Sequence, residues 1–208
     1  MKIGQLGRYI KYFCPKNKMN IALFASGSGS NVKNIIDYFN QDLEVNVKLV
    51  ISNKSAAGAL IHAENSGIKT KVFSYHEINS IFPIIEVFKE NDIELVVLAG
   101  FLLKIPAELI KEFNGDIINL HPSLLPKYGG KGMYGNNVHK AVIEAGESHT
   151  GITIHYVNEQ YDEGEIIAQF STAVSDNETT ETLLGKIKTL EKDHFPATIN
   201  KIIKQKSL

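Results

Sequence analysis

The chain carries a single cysteine, Cys14, among its 208 residues. An intramolecular disulfide is therefore impossible, no cysteine cluster can hold a metal, and a reducing, cytoplasmic compartment fits. Arginine is equally scarce: Arg8 stands alone. Neither sign of charge dominates, because the net charge is −1, which creates no field to draw nucleic acid or an anionic membrane. An anionic ligand must be held by local groups. No apolar run approaches the ~20 residues that span a bilayer, and neither repeats nor low-complexity linkers interrupt the chain. What remains, 43% hydrophobic and 22% charged residues, is the composition of a globular protein and not of a disordered one. The length suits one sizeable core.

The first eighteen residues, MKIGQLGRYIKYFCPKNK, contain five Lys and Arg and no acid. Gly4, Gly7 and Pro15 interrupt any amphipathic helix there, and serine is absent, so a targeting segment is the weaker reading. Residues 1–18 are expected to be a basic extension, and residues 19–208 a single domain.

From Asn20 onward strand and helix patterns alternate. NIALFA is a short apolar run bounded by glycines, as in a buried strand. NVKNIIDYFN then places Val32, Ile35, Ile36 and Phe39 at helical spacing. VNVKLVIS, TKVFS, IELVVLAG and DIINL read as further strands, separated by helices in AAGALIHAENSG, IFPIIEVFKEND and PAELIKEF. Such alternation demands crossover connections. The expected fold is α/β, doubly wound, with a mainly parallel sheet and helices on both faces. After Gly135 the rhythm changes to a helix in NNVHKAVIEAG and two strands, TGITIHYV and GEIIAQFSTAV, close enough to form an antiparallel pair. The last segment is helical, and Pro196 is expected to bend or divide it.

Ligands of open α/β sheets collect at the carboxyl ends of strands, which selects three segments. In SGSGSN, residues 26–31, glycines permit close backbone approach and the first helical amides point outward, an arrangement suited to phosphate. A tight turn capped by Ser or Asn explains the same residues. In LAGFLLKIP, backbone groups after Gly100 are placed to pair with a planar heterocycle between apolar walls, although a simple helix entry reads the same way. In NLHPSLLPKYGGKGMYG, Asn119 and His121 stand two apart at a strand end and so share a face. Pro122 and Pro126 then fix the path.

These segments, together with the long run INLHPSLLPKYGGKGMYGNNVHKAVIEAGESHTGITIHYV and with YDEGEIIAQ, resemble in order and over nearly all of residues 20–205 the phosphoribosylglycinamide formyltransferases, folate-dependent enzymes of purine biosynthesis. HPSLLP alone is shared more widely among formyl-folate enzymes. The resemblance implies a Rossmann-like formyltransferase fold and transfer of a formyl group from 10-formyltetrahydrofolate, as co-substrate, to the amine of glycinamide ribonucleotide, without a metal. It implies that Asn119 and His121 donate hydrogen bonds to the oxyanion and that His121 also manages the proton. Asp162 would orient His121 and favour its charged form. Gly29, Ser30, Asn31, Lys188 and Glu191 match positions that bind the ribonucleotide. Leu102, Leu103, Lys104 and Ile105 match the pterin clamp, and residues Asn158, Glu159, Gln160, Tyr161 and Asp162 a loop closing over the folate, with Asn119 also in contact.

One departure stands out. The arginine often found in that clamp is replaced by Leu103 or Lys104, so the folate's glutamyl tail is expected to be held loosely, by Lys104 or by solvent. His155 is a supporting candidate, whereas His62, His76, His139, His149 and His194 read as packing or surface residues. Other formyl-folate enzymes and a non-catalytic binding module are the alternatives; a near-neutral charge speaks against a tRNA partner. The expected partners are two small molecules, with no nucleic acid or membrane, and a monomer or weak homodimer.

Overall fold

The computed structural model describes residues 18–206, so the expected basic extension, apart from Lys18, lies outside the described residues. In chain order the elements are β1 (Met19–Phe24), α1 (Ser30–Phe39), β2 (Val45–Ser52), α2 (Gly58–Asn65), β3 (Lys69–Val72), α3 (Tyr75–Ser80) and α4 (Phe82–Glu90). They continue with β4 (Ile93–Leu98), α5 (Ala107–Glu112), β5 (Asp116–His121), α6 (Asn136–Glu144), β6 (His149–Tyr156), β7 (Ile166–Ala173) and α7 (Thr180–Lys206).

The strands form one seven-stranded sheet in the order β3-β2-β1-β4-β5-β6-β7. Pairing is parallel from β3 through β5 and antiparallel from β5 through β7. The expected antiparallel pair is thus present, and its first strand also pairs with β5. Chain order reverses between β1 and β4, which makes the carboxyl ends of these two strands the crevice of a doubly wound sheet.

β1 shows why the sheet is covered twice. Its alternate residues Ile21 and Leu23 pack with α1, α2 and α7, through Val32, Ile35, Leu60, Phe195 and Ile199. Ala22 and Phe24 face the other way, toward Ile84, Phe88 and Leu109 of α4 and α5. Phe24 meets Phe88 and Phe101 edge to face, at centroid distances of 6.1 and 5.2 Å. Every residue of the predicted α1 stripe, Val32, Ile35, Ile36 and Phe39, is buried. The central strands β1 and β4 are covered on both faces, so their carboxyl ends are well-anchored points for a site.

Two details differ from expectation. α3 is an additional short helix, started by a capping box in which Ser74 Oγ accepts from Glu77 N–H at 3.3 Å and the Glu77 carboxylate accepts from Ser74 N–H at 2.7 Å. Its signal, Ser-x-x-Glu, is in the sequence, but the segment has too few apolar residues to show a period. α7 runs undivided through Pro196, so of the expected bend or division the division does not occur. The proline removes one helix hydrogen bond, yet Phe195, Pro196, Ile199, Ile202 and Ile203 are all buried. Packing outweighs the local defect.

The turn entering α7 is pinned by Glu178, whose carboxylate accepts from Lys186 Nζ, from Thr182 Oγ1 at 2.5 Å and from Ser175 N–H at 3.2 Å. The hydrogen bond from Lys186, then those from Thr182 and Ser175, hold its carboxyl pKa at about 2, against an ordinary 4.5. A folded-state pKa below the unfolded one adds stability that is complete above the unfolded value and fades as the pH falls toward the folded one. Glu178→Gln is accordingly expected to melt below the wild type at pH 7, with the gap closing as pH falls from about 4.5 toward 2. Thermal melts of both proteins across that range check this; a gap independent of pH would assign the effect to packing.

Candidate active site

The crevice at the β1–β4 reversal opens into a cavity of about 490 Å³, lined by Asn31 in the first turn of α1, the ends of β4 and β5 and the loops after them, His139 of α6, His155 and the loop after β6, and Leu184 and Glu191 of α7. Ser26, in the turn between β1 and α1, is tied to the loop after β4. Its N–H donates to Gly100 O at 3.0 Å, its hydroxyl donates to Asn53 Oδ1 at 2.6 Å, and the same oxygen accepts from Leu102 N–H at 3.0 Å. The Leu102 amide is therefore engaged within the protein, and only the later part of the 102–105 stretch has backbone donors for a ligand.

At one end of the cavity lies the start of α1. Its N-cap is Gly29 at φ 80°, and no side chain caps the helix. The alternative of a Ser- or Asn-capped turn is thus not what the chain adopts, and the first amides are left for another acceptor. Gly29 is required twice over: its φ is left-handed, and a Cβ there would stand 2.4 Å from Ala59 Cα. Gly29→Ala is expected to cost about 1–2 kcal/mol for the backbone alone, with the collision against Ala59 added, and to weaken binding of a phosphate ligand. Denaturant unfolding alongside a titration with a phosphate monoester reads both.

Asn31 reaches across to α7, donating from Nδ2 to Glu191 Oε2 at 2.9 Å. Burial pushes the Glu191 carboxyl pKa up, opposed by the Asn31 amide and by Lys188. Both Asn31 and Glu191 line the main cavity; Ser30 and exposed Lys188 line a smaller adjoining recess that Asn31 and Glu191 share. Gly29 supports the turn from below and lines neither. Lys188 and Glu191 share a face as their spacing requires, without forming a direct ion pair with each other.

The centre is built on β5 and β6. Register places Asn119 opposite His155, and Asn119 Nδ2 lies 3.1 Å from His155 Nε2. His155 Nδ1 is 2.9 Å from Tyr156 O, a group that only accepts. That carbonyl fixes the proton on Nδ1, so neutral His155 accepts at Nε2 and holds the Asn119 amide in one orientation, with its second N–H left over. Burial, the largest influence, lowers the His155 pKa against the Tyr156 bond and the Asp162 charge, which agrees with a neutral ring. His155 is the participant that sequence spacing undervalued; its cross-strand register with Asn119 was the missing signal.

His121 is buried, with Nε2 2.8 Å from Tyr128 O and Nδ1 3.5 Å from Asp162 Oδ2. Since the carbonyl can only accept, Nε2 carries a proton, and a second proton on Nδ1 would face the carboxylate. Asp162 is fixed in turn: Oδ2 accepts from Gly130 N–H at 2.8 Å, and Oδ1 lies 3.7 Å from His155 Nε2. Tyr128 and Asp162 both have positive φ, 56° each. The two residues that hold His121, Tyr128 through its carbonyl and Asp162 through its carboxylate, thus both adopt a backbone conformation that costs energy for residues with a side chain.

The elbow after His121 is braced from behind. Thr153 Oγ1 accepts from Leu125 N–H at 3.0 Å and from Gln169 Nε2 at 2.9 Å, and donates to Ser123 O at 2.7 Å. Gln169 Nε2 also donates to Leu125 O at 2.9 Å. Buried polar groups that satisfy one another in this way hold one geometry.

The far wall comprises Leu102 to Ile105 and the loop from Val157 to Asp162. Asn158, Gln160, Tyr161 and Asp162 line the cavity, whereas Glu159 turns outward to Lys111, at 3.1 Å. Lys104 Nζ sits over the Tyr161 ring, 5.1 Å from its centroid. Gly164 lets this loop return beneath β6: a Cβ there would lie 1.6 Å from Tyr156 O. Among the described residues no His, Cys, Asp and Glu side chains cluster to hold a metal, and no helix is long and apolar enough to cross a membrane.

The formyl transferase family model matches residues 19–199. The phosphoribosylglycinamide formyltransferase, chloroplastic, of Arabidopsis thaliana is 40% identical over 187 residues, covering 86% of this chain and 63% of that protein. The protein of the same name from Vigna unguiculata is also 40% identical, covering 85% of this chain and 58% of its own length. The chain thus spans less than two thirds of these plant relatives. Among solved structures, phosphoribosylglycinamide formyltransferase from Anaplasma phagocytophilum superposes with a TM-score of 0.83 at 32% identity, covering 91% of this chain and 88% of that one. The enzyme of the same name from Bacillus halodurans gives 0.79 at 34% identity, covering 88% and 95%. With a family match that begins at the first residue of β1 and ends within α7, over a sheet these structures share, the chain belongs to the formyl transferase family.

Proposed function

We propose that the chain transfers the formyl group of 10-formyltetrahydrofolate to the amine of glycinamide ribonucleotide, in de novo purine biosynthesis. The observation that carries this reading is a single cavity whose walls bring together Asn119, His121 and Asp162, Asn31 and Glu191, and the 102–105 segment with Asn158, Gln160 and Tyr161. The uncapped start of α1 suits the ribonucleotide phosphate, with Ser30 and Lys188 beside it and Glu191 toward its hydroxyls. The apolar far wall suits the pterin.

In this reading the neutral amine attacks the formyl carbon, a new C–N bond forms, and the carbonyl oxygen takes the negative charge. The free N–H of Asn119 and the imidazole of His121 stabilise that oxygen. The folate nitrogen leaves with the electron pair of its bond to the formyl carbon and must gain a proton, while the amine must lose one. His121, facing Asp162, is the group that relays it. His121 exchanges its bond to Tyr128 O for the ligand when it acts. Lys104, at the rim over Tyr161, offers the glutamyl tail a point charge and not a fork. We further propose a cytoplasmic monomer or weak homodimer that takes only small-molecule partners, folded as one domain over residues 19–208.

The test is to mix the protein with 10-formyltetrahydrofolate, with and without glycinamide ribonucleotide, and follow tetrahydrofolate together with formylated product. Release that requires the ribonucleotide supports the transferase. Release without it would make the protein a hydrolase, and no release would overturn the reading.

A further inference from the structure

His139 reads from sequence as a packing residue, and it is 1% exposed. Among the described residues its Nδ1 is nevertheless one of two buried side-chain nitrogen or oxygen atoms without a hydrogen-bond partner. Buried polar atoms are nearly always paired, so an unpaired one calls for a reason. The ring also lines the cavity. Its neighbours on α6, Val138 and Val142, pack with Leu183 of α7, and the next residue of α7, Leu184, lines the cavity with Glu191. His139 therefore lies on the wall of the cavity built by α6 and α7, the wall that also carries Glu191.

Its protonation follows from its surroundings. Burial alone pushes the imidazole pKa down, so the ring is neutral and has one N–H. A proton on Nδ1 would bury a donor with no acceptor, which is worse than burying a lone pair. The proton belongs on Nε2, which makes no hydrogen bond among the described residues and is not among the buried unpaired atoms. An apolar side chain would fill this place without the penalty.

We propose that His139 is a binding residue for the acceptor substrate, donating from Nε2–H to an oxygen of the ribose-glycinamide part of the ribonucleotide. The proposal rests on the transferase reading above. The ligand oxygen repays the cost of keeping an imidazole in an apolar setting, and a ring that never carries charge there discriminates by hydrogen bonding alone.

Initial rates of His139→Leu and His139→Gln, with each substrate varied in turn, test it. In His139→Leu the KM for glycinamide ribonucleotide rises about tenfold, the loss of one neutral hydrogen bond, while the KM for 10-formyltetrahydrofolate and the melting temperature hold. His139→Gln, which keeps a donor, recovers most of the loss. An unchanged ribonucleotide KM in His139→Leu, or a parallel rise of both KM values with a lower melting temperature, overturns the proposal. If His139→Leu does not fold, imidazole nitrogen NMR of the wild type decides: ribonucleotide alone must shift the His139 Nε2 signal, and an unmoved signal overturns the assignment. Ribonucleotide-dependent turnover in the wild type with normal His139→Leu kinetics removes this proposal only; no such turnover removes the transferase reading with it.

Discussion

His121→Ala is expected to lower kcat by about 10²- to 10³-fold through loss of one oxyanion donor, with a further loss if proton relay is slowed as well. The ribonucleotide affinity should hold, because the partners of the side chain are Tyr128 and Asp162 and not Asn31 or Glu191. Stability should fall by about 1–3 kcal/mol, since the Tyr128 carbonyl loses its donor inside the protein. Single-turnover rates, isothermal titration with the ribonucleotide and denaturant unfolding separate these three effects. A kcat within about threefold of wild type, less than a single such donor supplies, would show that His121 is structural and that Asn119 acts without it.

Much of this was legible in the sequence, for reasons that are physical. The α1 stripe and the apolar β1 run gave away their elements because each buries a whole face or both faces. Asn119 and His121 were legible as a pair because a strand puts residues two apart on one side. α3 was not, because a six-residue helix held by a capping box carries no apolar period. The continuity of α7 was not, because the packing of Phe195 and Ile199 that overrides Pro196 comes from distant segments. His155 and His139 share that difficulty. The first matters through its register with Asn119, and the second through an absence of partners, and neither is a property of local spacing. The outward turn of Glu159 toward Lys111 and the engagement of the Leu102 amide by Ser26 are likewise long-range contacts.

The second large effect is expected at Asp162. Asparagine is the informative replacement, since it tolerates the left-handed φ of 56° found there and its side-chain oxygen can still accept from Gly130 N–H. What Asp162→Asn removes is the charge between His121 and His155, which lie 3.5 and 3.7 Å from the carboxylate oxygens. A proton passing through His121 is then no longer balanced by a nearby anion, so kcat is expected to fall by about 10²- to 10⁴-fold, the range of positioned acid–base groups. The KM for the ribonucleotide and the melting temperature should move little. Asp162→Ala, by contrast, adds a backbone cost and frees the Gly130 amide, so it should lose stability as well as rate. If Asp162→Asn keeps its rate while Asp162→Ala loses it, the carboxylate serves only to shape the loop after β6. If both lose the rate and only alanine loses stability, the charge itself carries the proton transfer, and the two positive-φ residues around His121 are held in place to aim it.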